Sequence, residues 1–191
     1  MNKSTALPYS IIALDLDGTL TNSEKNITPR TFDALMKAQR EGVRLVLASG
    51  RPTFGIAALA NQLQLADYGG YVLSYNGGRI IDWCEKTVIF SQVVDQKLVP
   101  ILYDFAEKAQ LPIVTYLPEA ILVSKNEGEY LAEEARINGM PIVVAQNFVE
   151  EAMRIAGGST KFLIPGEPEL LVQLESEMKA ALSEQMEVFR S

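Results

Sequence analysis

Three unbroken apolar runs in the first half of the chain each end on a short polar signature that contains glycine. YSIIALDL (9–16) runs into Asp17-Gly18-Thr19, VRLVLASGR (43–51) ends on Ser49-Gly50-Arg51, and GGYVLSYNGG (69–78) ends on Asn76-Gly77-Gly78. Continuous apolar runs of this length are expected of strands covered on both faces. The segments between them have helical spacing. In TPRTFDALMKAQREG (28–42), Thr28 suits an N-cap and Pro29 the first helical position. Phe32, Leu35, Met36 and Gln39 then recur on one stripe, and Gly42 ends the helix. PTFGIAALANQLQL (52–65) reads as a second helix. Strands alternating with helices imply parallel pairing and a doubly wound α/β sheet.

The texture changes after about residue 82. KTVIFSQVV (86–94) has strand character, and DQKLVPILYDFAEKAQ (95–110) is amphipathic and helical despite Pro100. PIVTYLPEAILVSKN (112–126) resembles two strands around a turn at Pro118-Glu119. EGEYLAEEARING (127–139) is helical and MPIVVAQ (140–146) a strand. From Ser159 a strand leads to a helix opening near Glu167-Pro168, and MEVFRS (186–191) reads as the start of another strand. The expected organisation is a first domain over 1–83 and a second, α+β domain over 84–191, with no low-complexity linker.

Composition excludes several chemistries. The chain has 191 residues, a net charge of −7, one cysteine and no histidine. Without histidine, neither Ser-His-Asp nor Cys-His catalysis is open to it, and a bound metal must be a hard ion held by oxygen. The acidic balance argues against nucleic acid or an anionic membrane as partner. Cys84 has no second cysteine to pair with. No apolar stretch approaches the ~18 residues of a membrane span, and the first ten residues lack a signal-type apolar core. The expected compartment is the cytoplasm.

Ending an apolar strand on two acids is costly unless a cation or a reaction uses both. Residues i and i+2 of an extended segment project to one face, so Asp15 and Asp17 are expected to converge at the C-terminal sheet edge. Their mutual repulsion is expected to favour the protonated form of one, which suits a general acid. Gly18 lets the backbone turn and present amides to an anion; Leu16 and Gly18 join the expected phosphate-binding set on that ground. Ser49, Gly50 and Arg51 offer a hydroxyl, an amide and a guanidinium at the same edge, a plausible phosphate cradle or an ordinary strand-to-helix turn. Asn76 and Gly77 read equally well as substrate contacts or as a turn between strands.

The combination DLDGTL (15–20), LASGR (47–51) and YNGG (75–78) resembles the haloacid dehalogenase-like phosphatases, within them the Cof-type sugar-phosphate phosphatases. The resemblance implies a Rossmann-like core with an inserted cap, and a small phosphorylated metabolite as substrate. It implies that Asp15 forms an aspartyl-phosphate and that Asp17 protonates the leaving alcohol and then activates water. Mg2+ would be held by the Asp15 carboxylate and the Asp17 main-chain carbonyl. Ser49 and nearby amides would hold the phosphoryl oxygens, with Arg51 beside them. The family's later lysine and its G-D-x-x-N-D segment have no counterpart here; Lys161, in the cap region, is not read as that lysine. The chain therefore resembles the N-terminal two-thirds of such an enzyme, expected to be inactive or nearly so alone, to bind Mg2+ weakly, and to self-associate through an exposed core edge. The competing readings are a non-catalytic fragment or interaction module, and a phosphotransferase or phosphomutase using the same intermediate.

Overall fold

The computed structural model describes residues 9–190 and divides into two compact units, Met1–Gln92 and Val93–Ser191. In the first unit, strands β1 (Ile11–Asp15), β2 (Arg44–Ala48), β3 (Tyr71–Ser74), β4 (Arg79–Asp82) and β5 (Thr87–Ser91) form one sheet in sequential order. β1, β2 and β3 are parallel, with Asp15 opposite Ala48 and Ala48 opposite Leu73; β4 and β5 return antiparallel. Helix α1 (Pro29–Arg40) joins β1 to β2, and α2 (Thr53–Gln62) with the short α3 (Leu65–Tyr68) joins β2 to β3. The Thr28 hydroxyl accepts the Thr31 amide at 3.3 Å, the cap expected from sequence.

The sequential order decides which face is covered. Two right-handed βαβ crossovers that step in the same direction place both helices on one side of the sheet. Leu35 of α1 and Ile56 and Ala60 of α2 accordingly share one core with Leu45 and Leu47. The Gln39 amide of α1 donates to the Leu63 carbonyl beyond the end of α2, at 2.8 Å. Ile12 and Leu14 pack on that core, while Ile11, on the other face, is 55% exposed. The expectation of strands covered on both faces is corrected here: the sheet is wound on one face, and β1 lies at its edge with none of its five residues buried.

A second correction concerns the boundary. β5 pairs with β4, so the first unit runs to Gln92 rather than stopping at residue 83. The segment read as opening the second domain continues the first sheet.

The second unit is α+β. Strands β6 (Val114–Tyr116), β7 (Ile121–Val123) and β8 (Ile142–Val144) form a separate sheet in that order, β6/β7 antiparallel and β7/β8 parallel. Helices α4 (Val99–Lys108), α5 (Glu129–Asn138), α6 (Phe148–Met153) and α7 (Pro168–Leu182) complete it. Pro100 falls in the first turn of α4, where its missing N–H costs nothing. Leu102, Ile113, Leu122, Phe148, Leu174 and Met178 form its core. The strand expected after Ser159 is reduced to a single bridge between Val114 and Leu163. Residues 187–190 have no strand pairing, against the expectation of a strand there, and Ser191 lies outside the described residues.

Candidate active site

The parallel register brings three strand ends together. β1 ends on Asp15, β2 leads into Ser49-Gly50-Arg51, and β3 into a tight turn at Tyr75-Asn76-Gly77. Backbone hydrogen bonds stitch the last two: the Ser49 amide donates to Leu73 O at 2.9 Å, Asn76 N to Ser49 O at 3.1 Å, and Tyr75 N to Arg51 O at 2.9 Å. Gly50 packs directly on the Asn76 side chain, where a Cβ would lie 3.2 Å from its amide atoms. Of the two readings of Asn76 the structure shows the turn: Tyr75, Asn76 and Gly77 all have φ between 55° and 87°, closing the β3–β4 hairpin and carrying Asn76 onto the second motif. Two non-glycine residues in that region store backbone strain, which proteins tend to concentrate at functional sites.

After Asp15 the chain leaves the strand at once. Leu20 N donates to Asp15 O, and Thr21 N and its hydroxyl both donate to Leu16 O. Gly18 has φ +78° with open space around it, so the conformation rather than the room calls for glycine. Leu16 is fully buried, so its side chain belongs to the core and not to a binding surface.

Asp17 is placed differently from expectation. Arg51 grips its carboxylate side-on, Nε to Oδ2 at 2.9 Å and Nη2 to Oδ1 at 2.6 Å. Lys25 Nζ adds a third bond to Oδ1 at 2.8 Å. Arg51 is nearly buried and also donates to Gly55 O at 3.4 Å. The Arg51 fork is the main reason that the Asp17 carboxyl is held below the usual range, with burial opposing and Lys25 assisting. The expected repulsion that would keep a proton on one acid is thus overridden at Asp17 by two cations. Among the described residues no ion pair forms at Asp15, which is exposed at the strand end.

Ser49 Oγ accepts the Arg51 amide at 3.2 Å, which leaves its proton for a further acceptor. Lys25 was not anticipated from sequence; it belongs to no motif and reaches Asp17 only through the fold of the turn at 22–26. As to a metal, the Asp17 carboxylate is occupied by its cations, and the donors that the family resemblance implies are the Asp15 carboxylate and the Asp17 carbonyl. Among the described residues no cluster of three or more acidic or cysteine side chains could hold a metal ion. No helix among them is long and apolar enough to cross a membrane.

The family model for haloacid dehalogenase-like hydrolases matches residues 12–191. A haloacid dehalogenase-like hydrolase of known structure from Bacteroides thetaiotaomicron superposes with a TM-score of 0.89 at 43% identity, over 96% of this chain and 68% of that one. The phosphatase-family protein YxeH of Bacillus subtilis is 30% identical over 136 residues, 70% of this chain and 50% of its own. The 5-amino-6-(5-phospho-D-ribitylamino)uracil phosphatase YwtE of the same organism is 30% identical over 118 residues, 62% of this chain and 39% of its own. The chain spans about half the length of the first curated relatives it matches. With its three signatures gathered at one parallel-sheet edge, the chain belongs to the haloacid dehalogenase-like hydrolases, in their Cof-type branch.

Proposed function

We propose that the chain carries the nucleophile half of a Mg2+-dependent phosphatase acting on a small phosphorylated metabolite through an aspartyl-phosphate. The observation that carries this reading is the unequal treatment of the two acids. Among the described residues Asp15 stands at the strand end without an ion-pair partner, whereas Asp17 is gripped by Arg51 and Lys25. A nucleophile needs a free carboxylate oxygen, and a proton-handling group needs a fixed direction.

In this reading an Asp15 oxygen attacks phosphorus, and the bond from phosphorus to the leaving oxygen breaks. Asp17 supplies the proton that turns the leaving alkoxide into an alcohol. Water then attacks the phosphoryl group while Asp17 takes its proton back, releasing inorganic phosphate and restoring Asp15. Ser49 and the amides at Leu16, Gly18 and Gly50 hold the phosphoryl oxygens, and Asn76 lines the same edge. Because Arg51 favours the ionised carboxylate, Asp17 is set up for the second, base step, and its acid step depends on the approaching phosphate drawing cations away from it. Mg2+, held by the Asp15 carboxylate and the Asp17 carbonyl, would offset the charge of the incoming phosphate. The name of YwtE, a phosphatase of 5-amino-6-(5-phospho-D-ribitylamino)uracil, supports a small phosphorylated metabolite as substrate.

The test traps the nucleophile without requiring turnover. Trifluoroberyllate mimics a phosphoryl group bonded to an aspartate, and its bound form is visible by fluorine NMR. A Mg2+-dependent bound signal that disappears in Asp15→Asn is the expected result. No bound signal even at saturating Mg2+ would sink the reading.

A further inference from the structure

We infer that Lys25 is a substrate-binding residue on the leaving-group side, selecting phosphomonoesters whose leaving group carries a second anion beside the ester oxygen. This rests on the reading of Asp17 as the group that protonates that oxygen. Whatever touches the Asp17 carboxylate then lies next to the leaving group.

The cations there exceed what Asp17 needs. Arg51 alone satisfies both carboxylate oxygens with a fork, and its guanidinium is fixed by burial and by Gly55. Lys25 binds Oδ1, the oxygen that Arg51 already contacts at 2.6 Å. Two cations thus face the one Asp17 carboxylate. An ammonium has three donors, and Asp17 takes one. Lys25 is about one-third exposed. An ion pair this open to water contributes little to stability, so the ammonium can turn toward another anion at small cost.

The turn that delivers Lys25 is built for the purpose. Asn22 N donates to Asn26 O at 3.0 Å, and Lys25 N to Asn22 O at 2.9 Å. The Asn22 side-chain oxygen accepts from both Glu24 N and Asn26 N at 3.0 Å. Lys25 itself has φ +62°, a left-handed conformation that disfavours any side chain. Glycine would fit that backbone without strain; a lysine there brings a charge to the site. A carboxylate or second phosphate on the carbon bearing the ester oxygen is the group that an ammonium beside Asp17 would meet.

The experiment compares 2-phosphoglycolate with ethyl phosphate, which lacks the carboxylate, in the 191-residue chain with Mg2+. Affinity is read from amide shifts, and the Lys25 ammonium is followed by nitrogen-15 NMR. The expected result is about tenfold tighter binding of 2-phosphoglycolate, the return on one charge-assisted hydrogen bond at a half-open site. The Lys25 signal should move with 2-phosphoglycolate only. Lys25→Met should abolish the preference, and Lys25→Arg should keep most of it. Equal affinities in the unaltered chain, or a preference that survives Lys25→Met, would overturn the inference while leaving the phosphatase reading intact. If neither compound bound with Mg2+ present, the phosphatase reading would fall and this inference with it.

Discussion

The two faces of the first sheet are made of similar residues and have opposite fates. On one, Ile12 and Leu14 of β1 lie beside Leu45 and Leu47 of β2, and α1 and α2 close over them. On the other, Ile11, Ala13 and Asp15 lie beside Arg44, Val46 and Ala48, and among the described residues of this unit no helix covers them. Leu45 and Leu47 are 0% exposed and Ile11 is 55% exposed, although all three are large and apolar. Hydrophobicity states a demand for cover; strand order decides whether it is met. The candidate nucleophile belongs to the open face, so its chemistry and the packing of the sheet are separable.

The strongest way to break that comparison is to remove the chemistry alone. In an enzyme of full family length that carries this first unit, Asp15→Asn should lower phosphoryl transfer by several orders of magnitude, since covalent catalysis and a metal ligand are lost together. Its thermal melt should stay where it was. Phosphate release from an aryl phosphate, measured beside a circular-dichroism melt, checks both. A lost melt would mean that Asp15 is structural.

The covered face should show the reverse signature. Leu47→Ala removes a fully buried side chain and should destabilise the first unit by about 3 kcal/mol. Trifluoroberyllate binding should persist in whatever fraction remains folded. Urea unfolding followed by Trp83, buried in the same core, reports the change. A loss under about 1 kcal/mol would mean that this core is looser than its burial implies.

Asp17→Asn sharpens the division of labour at the strand end. A proton matters most to a poor leaving group, so alkyl phosphates should lose roughly 100-fold and activated aryl phosphates far less. Equal losses would assign Asp17 to structure or metal binding instead.

The smallest effect concerns the open face itself. Among the described residues β1 presents an unpaired edge with apolar side chains beside it, an arrangement that invites strand addition. We expect the chain to self-associate there. Ile11→Lys should shift light scattering toward the monomer with less than about 1 kcal/mol change in stability, because the residue is already half in water. An unchanged particle size would place any association elsewhere.

Much of this was legible in the residues. Thr28, Pro29 and the stripe through Leu35, Met36 and Gln39 specify α1 by local chemistry, and the structure has that helix at Pro29–Arg40. Alternating strands and helices imply parallel pairing, and parallel pairing alone gathers Asp15, Ser49 and Asn76 at one edge. Gly18 was readable as a turn because glycine's missing Cβ has few other uses at such a place, whereas the close approach of Gly50 to Asn76 came from the fold. Long-range partners were not readable. An unbroken apolar run carries no mark of which face is covered or whether the strand lies inside the sheet, so the exposure of Ile11 followed only from strand order. The place of β5 in the first sheet rests on pairing with β4, which no local signal distinguishes from the start of a new domain. Lys25 and Arg51 are 26 residues apart in sequence and meet on one carboxylate. Local propensity and spacing determined the elements and the chemistry available at their ends. The tertiary structure decided which charges face which, because ion pairs and burial depend on distances that only the assembled sheet and its turns set.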